Sequence, residues 1–156
     1  MATIFIFGPS CGGKSTLAKA LQKELGDGWA RLDRDVLIDE EGCHKTEVNQ
    51  VIDEKIAAIK QTIVDAQIPW RDRRENELYF LVLPPLQVLL ERDAKRTSWL
   101  NRSEERAQQC QTYVINTHNT LNAWPKEGFD GCFDSSVLSV AEEVATIYAA
   151  LNTERL

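Results

Sequence analysis

Residues 8 to 15 read Gly-Pro-Ser-Cys-Gly-Gly-Lys-Ser, so Gly8 and Gly13 bracket four free positions and a lysine and a hydroxyl follow at once. These residue types at this spacing suit a polyphosphate. A loop with little side-chain bulk turns its backbone N–H groups inward around the phosphates, and a helix starting behind it adds its dipole. Gly12 and Gly13 let the backbone approach, and Lys14 reaches the β- and γ-phosphates of a bound nucleotide. The Ser15 hydroxyl ligates the bridging Mg2+, and Thr16 contacts the α-phosphate. With Gly8, Pro9, Ser10 and Cys11 they form the expected ATP-binding set.

Phosphate transfer needs further groups, and candidates follow in order along the chain. Asp33 and Asp35 come directly after an expected second strand, which puts them at the same sheet edge as the loop. One carboxylate there can orient magnesium-bound water while the other takes the proton of an acceptor hydroxyl. Arg92, Lys95 and Arg96 end a later helix, with Arg102 and Arg106 beyond. Planar guanidinium groups match phosphate oxygens, although the same arginines also suit a solvated face that pairs with Glu91 and Asp93. Arg71, Arg73 and Arg74 either grip an acidic acceptor or form an exposed basic turn. Trp70 and Trp99 are candidates for stacking on a base or sugar, or else for packing.

The elements that must position these groups alternate. Thr3 to Phe7 is a buried strand, and Leu17, Ala18, Leu21 and Leu25 mark a helix stopped by Gly26 and Gly28. Trp29 to Leu32 is a second strand. Val51, Ile52, Ile56, Ile59 and Ile63 step at helical intervals from about Glu47 to Ile63, so Thr62 to Asp65 reads as that helix's last turn in preference to a short strand. Glu77 to Leu83 is a buried strand, and Pro84-Pro85 opens a helix with Leu86, Leu89, Leu90 and Ala94 on its apolar face. Ser103 caps another, whose buried side is Ala107, Cys110, Val114, Thr117, Leu121 and Trp124. Gly131 to Asp134 is a last short strand, and Ser139 with Glu142 is a capping box for a final helix. Strands alternating with helices imply a mostly parallel α/β sheet of about five strands in three layers, as a single domain over residues 1–156.

A length of 156 residues supports one self-sufficient core. A net charge of -6 disfavours a protein whose main task is holding long nucleic acids, though a nucleic-acid end remains possible as an acceptor. No apolar run reaches the length of a membrane span, and the first residues lack the pattern of a secretory signal, so a cytoplasmic location is expected. The 4 cysteines are scattered and read as free thiols, and Cys43-His44 without a second pair makes a poor metal site. No N/T-K-x-D guanine-reading motif occurs, and Asp39-Glu40-Glu41-Gly42 matches D-x-x-G only within a very acidic stretch.

The sequence resembles the P-loop nucleoside, nucleotide and small-molecule kinases, the group of adenylate, shikimate and gluconate kinases and the phage-type polynucleotide 5′-kinases. GPSCGGKST is similar to the loop of guanylate and gluconate kinases. Leu32-Asp33-Arg34-Asp35 is similar to the D-x-D of shikimate kinase and the R-D-D acceptor motif of the polynucleotide kinases. The resemblance implies an acceptor-binding carboxylate at Asp35 with Arg34 beside it, and a magnesium-side acid at Asp33 with Ser15. LVLPPLQVLLERDAKR looks like a strand, helix and lid entry, which implies Arg92 and Arg96 as catalytic lid arginines and a small helical lid at about 95–105. FDSSVLSVAEEVATI resembles the family's last strand and helix, with Ser135 to Leu138 near the adenine. If Thr62 to Asp65 were a strand, Asp65 would be the family's second acid. The implied activity is transfer of the γ-phosphate of ATP to a hydroxyl or phosphate of a small molecule, with Lys14, Asp35, Arg92 and Arg96 as catalytic groups and Arg71 as a further acceptor contact. The alternatives are phosphorylation of a polynucleotide 5′-hydroxyl and a regulatory ATPase without an organic acceptor.

Overall fold

The computed structural model describes residues 1–154. Five strands, β1 (Ala2–Phe7), β2 (Ala30–Asp33), β3 (Gln61–Asp65), β4 (Glu77–Val82) and β5 (Gly131–Phe133), pair in the order β2-β3-β1-β4-β5, every pair parallel. Alternation along β1 builds the two cores, because successive side chains of a strand point to opposite faces. Ile4 and Ile6 pack with Leu17, Leu21, Ile147 and Leu151 from helices α1 (Lys14–Leu25) and α6 (Val140–Glu154). On the other face Phe5 and Phe7 pack with Leu37, Ile52 and Leu121 from α2 (Arg34–Asp39), α3 (Val48–Ala58) and α5 (Glu104–Asn122). The sheet is thus the middle of three layers, as expected from the alternating pattern. From the central β1 the chain goes to one side for β2 and β3, then crosses to the other for β4 and β5. That reversal opens a crevice at the carboxyl ends of the strands.

The expected helix from Glu47 to Ile63 is a correction. It stops at Ala58, where Ile59 is already extended and its N–H closes onto Lys55 and Ile56. The next residues form β3 between β1 and β2. Ile59 and Ile63 share a helical spacing by coincidence. Thr62, Ile63 and Val64 are β-branched and fully buried within the sheet, which is where such residues pack best. Asp65 therefore ends a strand at the crevice.

The polar run after β2 is also more ordered than a turn. Asp33 caps α2, its Oδ1 accepting from the N–H groups of Asp35 at 2.9 Å and Val36 at 3.3 Å. In α4 (Leu86–Trp99) the expected apolar face holds at Leu89, but Ala94 is exposed and Asp93 takes the buried place. Arg102 reaches back across the turn to Asp93 Oδ1 at 2.9 Å, which satisfies that buried charge. The stretch expected as a lid is the tip of the α4–α5 hairpin. Ser103 caps α5 as anticipated, accepting from Arg106 N at 3.2 Å. Among the described residues no helix is long and apolar enough to cross a membrane.

Candidate active site

The loop between β1 and α1 lies against β4. A Cβ on Gly8 would stand 2.4 Å from the Val82 carbonyl oxygen, so only glycine lets the loop leave β1 at this angle. Gly13 is left-handed at φ 100 and precedes α1 without any side-chain cap, which leaves the first N–H groups of the helix for an anion. Lys14 is 8% exposed and donates from Nζ to the Pro9 carbonyl at 3.0 Å. Burial pushes its pKa down, while the carboxylates of Asp65, Asp35 and Asp33 act the other way. Ser15 and Thr16 are exposed.

Asp65 accepts a 2.7 Å hydrogen bond from the Ser15 hydroxyl. It is buried, and that burial raises its pKa against the opposing pull of Lys14 and Ser15. Asp33 is its register partner across β2 and β3. Asp33 has other obligations: Oδ1 caps α2 and Oδ2 pairs with Arg31 at 3.4 Å. Among the described residues no group of three or more acids, histidines and cysteines could hold a metal ion by itself. A hydroxyl and a carboxylate are nonetheless hard oxygen donors of the kind Mg2+ takes together with nucleotide phosphates. Ser15 and Asp65 fit that pattern, with Asp33 beside them.

The arginines of α4 reach the loop, Arg92 half-buried and Arg96 exposed. Arg92 donates from Nη1 to the carbonyl of Cys11 at 3.1 Å and to Ser135 Oγ at 3.0 Å, and Ser135 Oγ donates in turn to the Gly12 carbonyl at 2.6 Å. Arg96 Nη1 donates to Ser10 Oγ at 3.3 Å. Both expected lid arginines therefore touch the phosphate loop from one helical turn apart.

Two cavities flank the loop. One, of ≈ 440 Å³, lies between α2 and α5 and is lined by Ser10, Asp35, Arg34, Lys45, Arg102, Arg106 and Tyr113. Arg34 is steadied by Asn49 Oδ1 at 3.3 Å, and the Tyr113 hydroxyl bonds to Gln67. The other, of ≈ 360 Å³, lies between α4 and α6 and is lined by Gly13, Thr16, Arg92, Trp99, Ser135, Leu138 and Glu143. Trp99 is 81% exposed at its rim.

Neither a protein-family model nor a curated protein matches the sequence. Solved structures do. The shikimate kinase of Acinetobacter baumannii, in complex with shikimate, superposes with a TM-score of 0.69 at 13% identity, covering 100% of this chain and 96% of that one. A gluconokinase from Sinorhizobium meliloti 1021 gives 0.65 at 18% identity, over 97% and 92% of the two chains. The YorR protein of Bacillus subtilis, in complex with phosphorylated GDP, gives 0.63 at 14% identity, over 99% and 98%. The chain has the P-loop kinase fold.

On that fold the sequence-derived residues divide. Gly8 to Thr16, Asp33, Asp35, Arg34, Arg92 and Arg96 are assembled at the carboxyl edge of the sheet. Arg71 is not among them, and its expected place as an acceptor contact is corrected. It lies at the amino end of β4, where it holds Glu77 Oε1 at 2.7 Å and Asp53 Oδ1 at 2.8 Å, bonds that push its pKa well up. Arg73 pairs with Asp130 at 3.0 Å, and Arg74 donates its N–H to Glu77. Trp70 packs edge-on against Phe5 and Phe7 and donates to Asp53, so it is a packing residue. Lys45, Tyr113 and Glu143 were not singled out by any motif. Tyr113 had a usable signal, since it follows Arg106 and Gln109 at helical spacing on α5.

Proposed function

We propose that the protein is an ATP-dependent phosphotransferase of the cytoplasm that moves the γ-phosphate to a hydroxyl or phosphate on a small molecule. The observation that carries this reading is the position of Asp35. It lines a cavity of ≈ 440 Å³ whose wall also includes Ser10 of the phosphate loop, and it acts electrostatically on Lys14. A carboxylate there can orient an acceptor hydroxyl and take its proton as the bond to phosphorus forms. Lys14 and the loop N–H groups hold the donor phosphates, and Arg96 neutralises charge that develops on the transferred group. Arg92 keeps the loop in shape through its carbonyls. Mg2+ held by Ser15 and Asp65, with Asp33 alongside, would neutralise the phosphate oxygens.

Arg34, Lys45 and Arg106 line the same cavity with Asp35 and Asp39, while Arg102 is engaged by Asp93; the small excess of positive charge suits an acceptor that carries negative charge. The size of the cavity favours a small molecule. The case for a polynucleotide end loses most of its support from residues 71 to 74, since Arg71 is engaged by Asp53 and Glu77 and Arg73 by Asp130. The structural neighbours named as shikimate kinase and gluconokinase are in keeping with a small-molecule acceptor.

The test is transfer from labelled ATP and Mg2+ to a panel of nucleosides, nucleoside monophosphates, sugars, hydroxy acids and 5′-hydroxyl oligonucleotides, with Asp35→Asn beside wild type. Transfer to one anionic class, lost in the variant while ATP still binds, is expected. Slow hydrolysis that is equal in both proteins and unchanged by every acceptor would replace this reading with a regulatory ATPase.

A further inference from the structure

Asp93 lies one turn after Leu89 on the buried side of α4, a place where helical spacing calls for an apolar residue. It is buried there with an arginine. Its Oδ1 accepts from Arg102 Nη1 at 2.9 Å, and the same nitrogen donates to Thr97 Oγ1 at 3.2 Å. The two charged side chains are 7% and 13% exposed. Taking both charges out of water costs about as much as their attraction returns, so such a pair adds little stability over an apolar pair, whereas losing one partner is costly. Its directional bonds specify a geometry that an apolar pair would not.

That geometry is the reversal between α4 and α5. Leu100 to Ser103 alone join the two helices. The N–H groups of Leu100, Asn101 and Arg102 donate back to the carbonyls of Arg96, Ser98 and Thr97 at 2.9, 3.3 and 3.1 Å. Asn101 takes the left-handed conformation at φ 48, which turns the chain without a glycine. Neither glycine nor proline occurs from Leu86 to Asn122, so the hairpin lacks the small residues at which lids often bend. Both arms are also anchored below the tip, α4 by Leu89 and α5 by Val114, Thr117 and Leu121, all buried. The chain's own groups are sufficient to hold the hairpin in this position.

We propose that Asp93 is a positioning residue: through Arg102 it holds the α4–α5 hairpin as a lid fixed in place, so that Arg96 meets the donor and Arg106 the acceptor cavity with no closing step. The roles of those two arginines rest on the phosphotransferase reading above; the fixing of the hairpin does not. Arg96 follows Asp93 by three residues and Arg106 follows Arg102 by four, so each stands about one helical turn from a member of the pair. A tilt of the tip carries both off their targets together, and a misplacement of about 1 Å is enough to slow a reaction severely. The ≈ 440 Å³ cavity and the ≈ 360 Å³ cleft beside the loop leave ways in for acceptor and donor with the hairpin in this position.

The experiment is hydrogen exchange of the full chain, read at the amides of Leu100, Asn101 and Arg102, alone and with Mg2+ and the non-hydrolysable ATP analogue AMP-PNP. In wild type these amides are expected to be protected in both conditions, at rates that agree within about threefold. Asp93→Asn keeps the shape and removes the charge, so their exchange is expected to quicken by about 100-fold, the scale of a broken buried pair. In the same variant kcat for transfer should fall while KM for ATP, set by the loop, changes little. Wild-type amides that exchange freely and gain protection only with the analogue overturn the assignment, since the hairpin then closes on substrate. A variant whose tip exchanges like wild type overturns it as well. Should Asp93→Asn fail to fold, Asp93→Leu/Arg102→Met refills the space with apolar side chains, and transfer is expected to follow the protection of the tip in whichever direction that goes. A tip protected with transfer still lost would mean that Arg102 acts on substrate with its own N–H groups, and an unprotected tip with transfer kept would mean that its position is immaterial; either result overturns the proposal. If wild type transfers to no member of the panel and hydrolyses no ATP, the phosphotransferase reading fails, and exchange still decides whether Asp93 holds the hairpin.

Discussion

Ser15 and Asp65, 50 residues apart in the chain, are joined by a 2.7 Å hydrogen bond from hydroxyl to carboxylate. The bond spans the gap between the first residues of α1 and the end of β3, the two places from which oxygen donors could meet beside bound phosphates. Asp33, the acid expected there, has its Oδ1 committed to the cap of α2. Asp65→Asn keeps the shape and removes the charge. Nucleotide affinity in Mg2+ should drop by about 10- to 100-fold, the range found when groups that orient metal ligands are altered. Affinity in EDTA should change little. Equilibrium dialysis under both conditions decides the matter: an Mg2+ enhancement as large in the variant as in wild type would return the metal to Asp33.

Arg106 and Arg71 separate the site from the scaffold. Arg106 lines the cavity beside Asp35. Arg106→Ala is expected to raise the acceptor KM about tenfold or more, the weight of one charge-assisted contact, with donor KM and thermal stability unchanged. Arg71→Ala should do the reverse. It leaves Glu77, which is 5% exposed, without its main partner, and a loss of about 3 kcal/mol or more in urea unfolding is expected. Transfer per folded molecule should persist. An acceptor KM that moves with Arg71 and not with Arg106 would place the acceptor elsewhere.

How far the sequence could be read depends on whether the signal was local. The loop from Gly8 to Thr16 is contiguous and its spacing follows from the phosphates, so it was legible in full. Asp35 was legible because it follows a strand directly. Asp65 was legible only as the less favoured alternative: Ile59 and Ile63 fall at a helical interval, and only the partners β1 and β2 on either side turn Gln61–Asp65 into a strand. The error over Arg71 has the same origin. Its neighbours Asp53 and Glu77 come from α3 and β4, and nothing in the stretch Trp70 to Arg74 reports that both converge on it. Glu143 looks in the sequence like one more acid on an amphipathic helix, because its burial arises only once α6 packs against α1 and β5.

Trp99 gives an independent view of the donor. Its exposure at the rim of the α4–α6 cleft is unusual for a tryptophan, and the cleft below it is open. Trp99→Ala should weaken ATP binding by about tenfold, as expected for loss of one aromatic face against a base. Tripolyphosphate binding, which needs only the loop, should be unchanged. Nucleotide should also shift the tryptophan emission of wild type and not of the variant. Equal weakening of ATP and tripolyphosphate would mean that the substitution disturbs the loop and that the base lies elsewhere.

Burial raises the Glu143 carboxyl and so ties stability to pH in a direction that can be worked out. The folded protein keeps this proton up to about 7, whereas the unfolded chain releases it near the ordinary value of 4.5. Between those values the native state binds more protons than the unfolded state, so the contribution of Glu143 to stability falls as pH rises. That contribution is complete below the lower value and gone above the upper one. Glu143→Gln carries no ionisable proton, so it should lack this slope and gain on wild type steadily from acid to neutral pH. Urea unfolding of both proteins at about pH 5 and about pH 8, which straddle the transition, measures the difference. A variant whose stability runs parallel to wild type between those conditions would mean that Glu143 is ionised throughout.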